Sequence, residues 1–472
     1  MMRTIIGRQK EQEMLSEYEH SPKSELLVVF GRRRVGKTFL IKEYFDNHFF
    51  FYISGAENAT KKMQLKNFNL ALKKHSKYPY PAVEDWQDAF EQLIHFIENS
   101  KNEGRKVIFF DELPWFDTMK SGFLSAFEYF WNTFASARND IFLIVCGSAT
   151  SWIVNKIIKN RGGLHNRVTA QIHLNPFTLK ETEEFLTYKN IVFSRYQIAE
   201  CYMIMGGIPY YLEQLKKGKS LSQNIDNLFF NKDSILTDEY RKMYASLFKK
   251  FDKHVKIIEI LGKKRSGMSR EEMVAQSKIP DGGGLTGVLS DLEMCGFINV
   301  YNSYNKKSKN RIYQLVDFYS LFYLTFIKNN LQTNPNYWSN LTESSTKLSW
   351  CGYSFELVCL MHIEQIRRKL GISGVVNYVN SWRSEDKTCQ IDLLIDRNDH
   401  VINVCEIKYS KNEYSIAKDD DCELQAKLAK FRSETATKKA LHLTMLTTFG
   451  VSKNQYYGNI QSEITLDDLF AL

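Results

Sequence analysis

Two groups of residues in this 472-residue chain have the types and spacing needed for chemistry on phosphates. The first is Gly31-Arg32-Arg33-Arg34-Val35-Gly36-Lys37-Thr38-Phe39. It fits the pattern GxxxxGK[ST], in which loop amides and a helix N-terminus enclose a phosphate. Lys37 would reach the β/γ-phosphates and the Thr38 hydroxyl would hold magnesium. Downstream, Lys106-Val-Ile-Phe-Phe-Asp111-Glu112 is an apolar run ending in two carboxylates. Asp111 suits the magnesium shell, and Glu112 suits the orientation and activation of an attacking water. A third apolar run, Ile141–Cys146, ends in Gly147-Ser148, which makes Ser148 a candidate polar sensor beside the γ-phosphate.

The second group is Glu356, Asp392, Glu406 and Lys408. Gln390–Ile395 and Val401–Lys408 read as strands joined at Arg397-Asn398-Asp399, a hairpin signature. Pairing about that turn puts Asp392 opposite Glu406 or one diagonal step away, and period two puts Lys408 on the same face. Two carboxylates and a lysine so placed suit magnesium or manganese beside a phosphodiester, with Asp392 and Glu406 as metal ligands and Lys408 at the attacking water. Glu356, on an amphipathic helix opened by Gly352-Tyr-Ser-Phe, assists. Gln425, on a following helix, is a candidate accessory group.

The elements that must position these groups follow from the apolar pattern. Leu26–Phe30, Phe50–Ile53, Val107–Phe110, Ile141–Cys146 and Val168–Leu174 are short, continuously apolar runs separated by helical patterns. That alternation predicts an α/β fold with a parallel sheet covered on both faces. Helices follow to about residue 250. Between 251 and 328 come three helices, one of them opened by the capping box Ser269-Arg-Glu-Glu272, and then a hairpin. Its tip carries Lys306, Lys307, Lys309 and Arg311, a basic wing suited to phosphate contact, or else a solvated edge on a protein-facing lid. Arg161 and Arg167 flank Gly162-Gly163 just before the fifth strand. Arg167 is the preferred cation for the developing phosphate charge, in cis or across a subunit boundary.

Composition sets the bounds. The chain is 43% hydrophobic and 25% charged, ordinary for a globular protein of about three domains. No apolar run approaches the ~18 residues of a membrane span, and Met1-Met2-Arg3-Thr4 leads into charged residues without a signal-peptide core. The eight cysteines are scattered singly, so disulfides and zinc are not expected and the cytoplasm is. A net charge of +9 favours an anionic partner.

The motifs of residues 3–215 resemble the AAA+-related archaeal ATPase family of archaea and bacteria, whose phosphate loop typically reads GRRRVGKT. The resemblance extends to Gly7-Arg8-x-x-Glu11-x-x-x-Leu15, similar to the family's element flanking the adenine. It also covers Gly206-Gly207-Ile208-Pro209-Tyr210, similar to the lid motif near the base. It implies ATP and Mg2+ as ligands, Gly7, Arg8 and Pro209 among the nucleotide contacts, and sheet order 5-1-4-3-2. The middle segment resembles a winged helix-turn-helix. The spacing of Glu356, Asp392, Glu406 and Lys408 resembles the PD-(D/E)xK restriction-endonuclease-like superfamily, with Ile391 in place of the usual proline. Thr447-Thr-Phe-Gly450 and Ile464-Thr-Leu-Asp-Asp-Leu469 resemble the domain of unknown function often fused to this ATPase family.

The expected domains are an ATPase core (1–178), a helical lid (179–250), a winged helix (251–328), a linker (329–344) and a nuclease-like α/β domain (345–472). The expected function is an ATP-hydrolysing switch controlling a metal-dependent nuclease-like domain that acts on nucleic acid, DNA foremost. A homo-oligomer is compatible with this reading. The alternative is a regulatory or signalling ATPase whose C-terminal domains bind DNA or protein without cleavage.

Overall fold

The computed structural model describes residues 4–159, 162–164, 166–231, 234–248, 250–302, 304, 311–328, 330, 334–341, 344–386 and 388–471. The chain divides into two compact units, Met1–Asn175 and Pro176–Leu472.

In the first unit the five apolar runs form β1 (Glu25–Phe30), β2 (Phe51–Ser54), β3 (Lys106–Asp111), β4 (Ile141–Gly147) and β5 (Ala170–His173). All neighbours are parallel, in the order β2-β3-β4-β1-β5, which is the expected order read from the other edge. Both faces are covered, which is why β3 and β4 read as unbroken apolar sequence rather than as alternation. One face (Leu26, Val28, Phe51, Ile53, Ile108, Phe110, Leu143, Val145) meets the helices Lys61–Ser76, Trp86–Glu98 and Phe123–Tyr129. Helix Phe123–Tyr129 continues as a π-helical turn, Phe130–Phe134. Because every strand is parallel, Phe30, Ser54, Asp111 and Gly147 all end at one edge of the sheet, and the loops beyond them converge there.

The second unit opens with helices Leu179–Tyr188, Arg195–Met205, Pro209–Glu213, Leu221–Ile225 and Glu239–Leu247. Helices Asp252–Leu261, Arg270–Ser277 and Gly283–Met294 follow, with the strands β6 (Met268–Ser269), β7 (Ile298–Asn302) and β8 (Arg311–Leu315) in the order β6-β8-β7. The last part is helix Ser345–Met361 and a mixed five-stranded sheet: β9 (Asn377–Arg383), β10 (Gln390–Arg397), β11 (Val401–Lys408), β12 (Ala440–Thr447) and β13 (Ser462–Thr465). Strands β9, β10 and β11 are antiparallel, whereas β11, β12 and β13 are parallel. Helix Lys418–Thr435 makes the crossover from β11 to β12 and packs Leu424, Leu428 and Phe431 toward the sheet.

Within this unit the segments interlock. Lys347 pairs with Glu200 at 3.0 Å, and the Tyr196 ring stacks on Tyr409 (5.2 Å) and Phe449 (5.4 Å). Tyr409 also packs on Phe355 at 5.5 Å, so the helix Arg195–Met205 touches the neighbours of both Lys408 and Glu356. His362 accepts the Leu179 N–H at Nε2 (2.9 Å), and burial lowers its pKa to about 4. At the other side the Tyr304 amide donates to Ser381 O of the edge strand β9 at 2.9 Å, and its ring packs on Phe431. Arg265 donates to Ser349 O at 2.8 Å.

Candidate functional site

The phosphate loop leaves β1 at Gly31, whose φ of +145° and closeness to Leu174 O (2.2 Å from an added Cβ) admit only glycine. Arg34 (φ 72°) and Gly36 (φ 93°) turn the chain so that helix Lys37–Tyr44 starts without a side-chain cap. Its first amides therefore remain for an anion. Lys37 is buried, and its Nζ donates to Gly31 O and Arg32 O, each at 2.9 Å, which centres the ammonium on the loop. Val35 and Arg32 are buried, Arg33 and Arg34 half-buried, and Phe39 lies at the surface. Arg8, left-handed and buried, donates from Nη2 to Val35 O at 3.3 Å. This contact ties the Gly7–Leu15 element to the loop, where the resemblance implied it.

One carboxylate oxygen organises the next layer. Asp111 Oδ1 accepts from Thr38 Oγ1 (2.9 Å), Cys146 Sγ (2.8 Å) and the Glu112 amide (3.1 Å). Burial raises the Asp111 pKa, opposed first by the Cys146 bond, while the neighbouring Glu112 charge raises it further. The Thr38 hydroxyl and Asp111 carboxylate are hard oxygen donors in mutual contact, a donor set that fits Mg2+. Cys146 was not foreseen, because the last apolar residue of a buried strand carries no sequence mark of a polar role. Burial, then the charges of Asp111 and Glu112, push its thiol pKa well up, so it serves as a donor.

Glu112 is held in the left-handed region (φ 48°), a strained backbone for a non-glycine residue. Its side chain accepts from Ser148 Oγ (2.7 Å) and from the Ser148 amide (3.1 Å). Ser148, expected as a γ-phosphate sensor, thus grips the candidate base. Gly147 is required beside it, since an added Cβ would lie 2.6 Å from Pro114 Cδ.

Of the two roles open to Arg167, in cis or across a subunit boundary, the sheet speaks against the first. Ala170 pairs with Leu27, so Arg167, exposed on the turn before β5, lies at the N-terminal edge of the strands. Gly31 is four residues further along β1, about 13 Å away at ~3.3 Å per residue, beyond the reach of one side chain. Arg161 lies outside the described residues. Pro209 opens helix Pro209–Glu213 in the second unit, after the left-handed pair Gly206 and Gly207.

At the C-terminal hairpin, Leu393 pairs with Cys405, and the same register continued one residue would set Asp392 opposite Glu406. Glu406 is clamped on both oxygens: Lys408 Nζ lies 3.1 Å from Oε1, and Lys427 Nζ lies 2.5 Å from Oε2. Gln390 donates to Asp392 Oδ1 at 2.6 Å, from two residues away on the same strand face. Burial, then the Glu406 charge, raise the Asp392 pKa. Burial, then the charges of Asp392 and Glu406, carry Glu356 to about 8. Glu356, Asp392, Glu406 and Lys408 therefore lie in one electrostatic neighbourhood, as their spacing suggested. Gln425 does not join them: it is exposed, and Lys427, two residues on and on another helix face, supplies the contact. Among the described residues no group of three or more His, Cys, Asp or Glu is arranged to hold a metal. A cation here would take Asp392 and Glu406, with water and substrate completing its shell. Of the basic wing, Arg311 is exposed at the start of β8, and Lys306, Lys307 and Lys309 lie outside the described residues.

Glu356 has a testable pH consequence. Its folded pKa of about 8 exceeds the ordinary 4.5, so its contribution is fully present below 4.5 and is lost as pH rises through 8. Glu356→Gln copies the neutral acid. Thermal melts of the variant and wild type should coincide near pH ~5 and diverge in the variant's favour by ~pH 8.5, by at least ~2 °C. Equal melting curves at both pH values would contradict the raised Glu356 pKa.

Residues 6–215 match the family described as an ATPase domain predominantly from Archaea. This part of the chain is an archaeal-type P-loop ATPase domain. An uncharacterized protein of Methanocaldococcus jannaschii is 24% identical over 409 residues, covering 86% of this chain and 87% of the relative. An uncharacterized ATP-binding protein of the same organism is 43% identical over 43 residues, covering 9% of this chain and 73% of its own length. Among solved structures, a Walker-type ATPase of Pyrococcus abyssi is similar with a TM-score of 0.47 and 17% identity, over 68% of this chain and 96% of that one. The ORC2 protein of Aeropyrum pernix is similar with a TM-score of 0.43 and 13% identity, over 73% of this chain and 97% of that one. No described helix is long and apolar enough to cross a membrane. The first relative's match runs well past the ATPase domain, into the second unit.

Proposed function

We propose that the ATPase domain is the motor of a switch that controls the C-terminal sheet domain, and that this domain is a metal-dependent nuclease-like centre acting on nucleic acid. The observation that supports the reading is the antiparallel pairing of Leu393 with Cys405, next to Asp392 and Glu406, with Lys408 on Glu406 and the charges of Asp392 and Glu406 felt at Glu356. In the ATPase domain, loop amides and Lys37 bind the phosphates, Thr38 and Asp111 hold magnesium, and Glu112 orients water and takes its proton. Arg167 is proposed to act across a subunit boundary, which makes an oligomer part of the reading.

In the C-terminal domain, Asp392 and Glu406 would hold Mg2+ or Mn2+, which supplies positive charge to a phosphodiester oxygen and acidifies water. Lys408 orients that water, and Glu356 receives or returns a proton at its carboxyl. Residues 251–328 are read as a winged helix. Its hairpin lies against this domain through Tyr304, and Arg311, Lys306, Lys307 and Lys309 are proposed as nucleic-acid contacts. Tyr301 of β7 is close enough to Asp392 for that charge, after burial, to raise its hydroxyl pKa. The rival reading, a regulatory ATPase that binds without cutting, draws on the two lysines that already neutralise Glu406.

The deciding experiment incubates the full chain with supercoiled plasmid, single-stranded DNA or RNA, with manganese, and with or without ATP. Cleavage that needs manganese and changes with ATP is expected. Intact substrates under every condition, with ATP hydrolysis proceeding, would favour the rival.

A further inference from the structure

Edge strand β9 brings an arginine to the carboxylate hairpin. Arg383 pairs with Gln390 of β10, and Trp382 pairs with Ile391. Trp382 and Ile391 are buried in the cluster around Phe431 of helix Lys418–Thr435, so Arg383 and Gln390, one residue along, face the other way. There Gln390 donates to Asp392 Oδ1 at 2.6 Å. Cross-strand partners stand about 4.5–5.5 Å apart at Cβ, so Arg383, Gln390 and Asp392 form a short row. From Ile391 to Leu394 on β10 the chain takes one residue more than from Trp382 to Asn380 on β9. Asp392 lies in that bulge, a device that re-aims side chains and recurs beside active sites.

The Arg383 guanidinium is uncommitted. Its Nε is buried without a hydrogen-bond partner, and its terminal nitrogens, which are not shut from solvent, form no hydrogen bond or ion pair among the described residues. An unsatisfied buried group asks for a cause, of which an absent ligand is one. The neighbouring lysines are engaged: Lys408 and Lys427 both sit on Glu406, at 3.1 and 2.5 Å. Burial, then the Asp392 charge, raise the Tyr301 hydroxyl pKa and the Arg383 charge opposes them, so arginine and carboxylate share one neighbourhood. A phosphodiester that approaches Asp392, Glu406 and Glu356 meets like charge, and it needs a cation not already paired with them.

We propose that Arg383 binds a backbone phosphate of the nucleic acid beside Asp392, through its terminal nitrogens. This rests on the reading of the C-terminal domain as one that acts on nucleic acid, and it names the group that holds the substrate there. The planar fork of a guanidinium matches two phosphate oxygens, which a lysine ammonium does not. Its place on a strand, opposite Gln390, fixes the distance between the bound phosphate and the carboxylate.

The test uses the full chain with calcium, and reads binding of labelled duplex DNA, single-stranded DNA and single-stranded RNA by fluorescence anisotropy over a range of salt. Arg383→Met keeps the aliphatic stem and removes the fork. On whichever probe wild type binds, it should weaken affinity at least about tenfold and reduce the log–log salt slope by about 0.9 for duplex or about 0.7 for a single strand. Arg383→Lys keeps the charge without the fork, so it should keep the slope at an affinity between the two. A second measurement needs no variant: labelling of Arg383 by phenylglyoxal, read by mass spectrometry, should occur in free wild type and fall when the nucleic acid is bound. Equal affinity and slope in wild type and Arg383→Met overturn the phosphate contact and leave the reading of the domain standing. So does an Arg383 that takes no label in the free protein, or takes it equally with nucleic acid bound. Failure of wild type to bind any of the three probes overturns the reading and the contact together.

Discussion

Lys37→Ala should lower ATP turnover at least about 100-fold, because it removes a preorganised cation from the β/γ-phosphates. Nucleotide binding should weaken as well, since Lys37 is buried in the loop and centred on it by Gly31 O and Arg32 O. Glu112→Gln should behave differently. The amide keeps a hydrogen-bonding head for Ser148 and leaves Thr38 and Asp111 untouched, so ATP binding should persist while hydrolysis falls about 10²–10⁴-fold. The contrast is read by equilibrium nucleotide binding beside phosphate release on the same preparations. Hydrolysis by Glu112→Gln at the wild-type rate would remove Glu112 as the base. It would leave the two bonds from Ser148 as a means of fixing a strained turn.

The ATPase domain was legible because each of its signals has a local physical cause. Continuous apolar strands announce a sheet buried on both faces, and the glycine positions of the phosphate loop announce a turn other residues cannot make. The hairpin register was legible too: a short turn between Arg397 and Val401 leaves few ways to pair the flanking strands, and the observed pairing of Leu393 with Cys405 is one residue from the expected Asp392–Glu406. Three features were not legible, for different reasons. Strand β9 is an edge strand with mixed exposure and a register shift against β10, so it carries neither alternation nor an apolar run. Lys427 reads as a solvated helix lysine until the helix is rotated onto the sheet. For Arg167 the choice between cis action and action across a subunit boundary was not legible, because the sequence does not show that a parallel sheet separates the start of β5 from the end of β1 by a strand length. Interlocking within the second unit also bears on experiment. Tyr196 on Tyr409, Lys347 on Glu200 and Leu179 on His362 would all be severed in an isolated 345–472 fragment, so tests of the carboxylate hairpin belong in the full chain.

In that full chain, Asp392→Ala, Glu406→Ala and Lys408→Ala should each reduce manganese-dependent cleavage below about a hundredth of the wild-type rate, since a lost metal ligand or water-orienting group costs several kcal/mol of transition-state stabilisation. ATP hydrolysis should stay near normal, because Thr38, Asp111 and Glu112 belong to the other unit. Glu356→Ala should do less damage, as a helix carboxyl set apart from the facing strand pair. Calcium should support nucleic-acid binding without cutting, because it accepts looser geometry than magnesium. The competing account makes these groups a structural ion-pair cluster, and it predicts a different pattern of stability. Glu406→Ala would leave Lys408 and Lys427 without their shared counter-charge and should lower the melting temperature. On the metal-site account Asp392→Ala would instead relieve repulsion, since Asp392 has Gln390 rather than a cation on its oxygen and the Glu406 charge opposes its ionisation, whereas a structural cluster would lose a member and melt lower. Thermal melts therefore separate the accounts at Asp392. A functional metal site predicts an Asp392→Ala protein that melts at or above the wild-type temperature, binds no manganese and cuts nothing. An Asp392→Ala protein that unfolds, from a wild type that never binds manganese, would reduce the hairpin to a structural cluster.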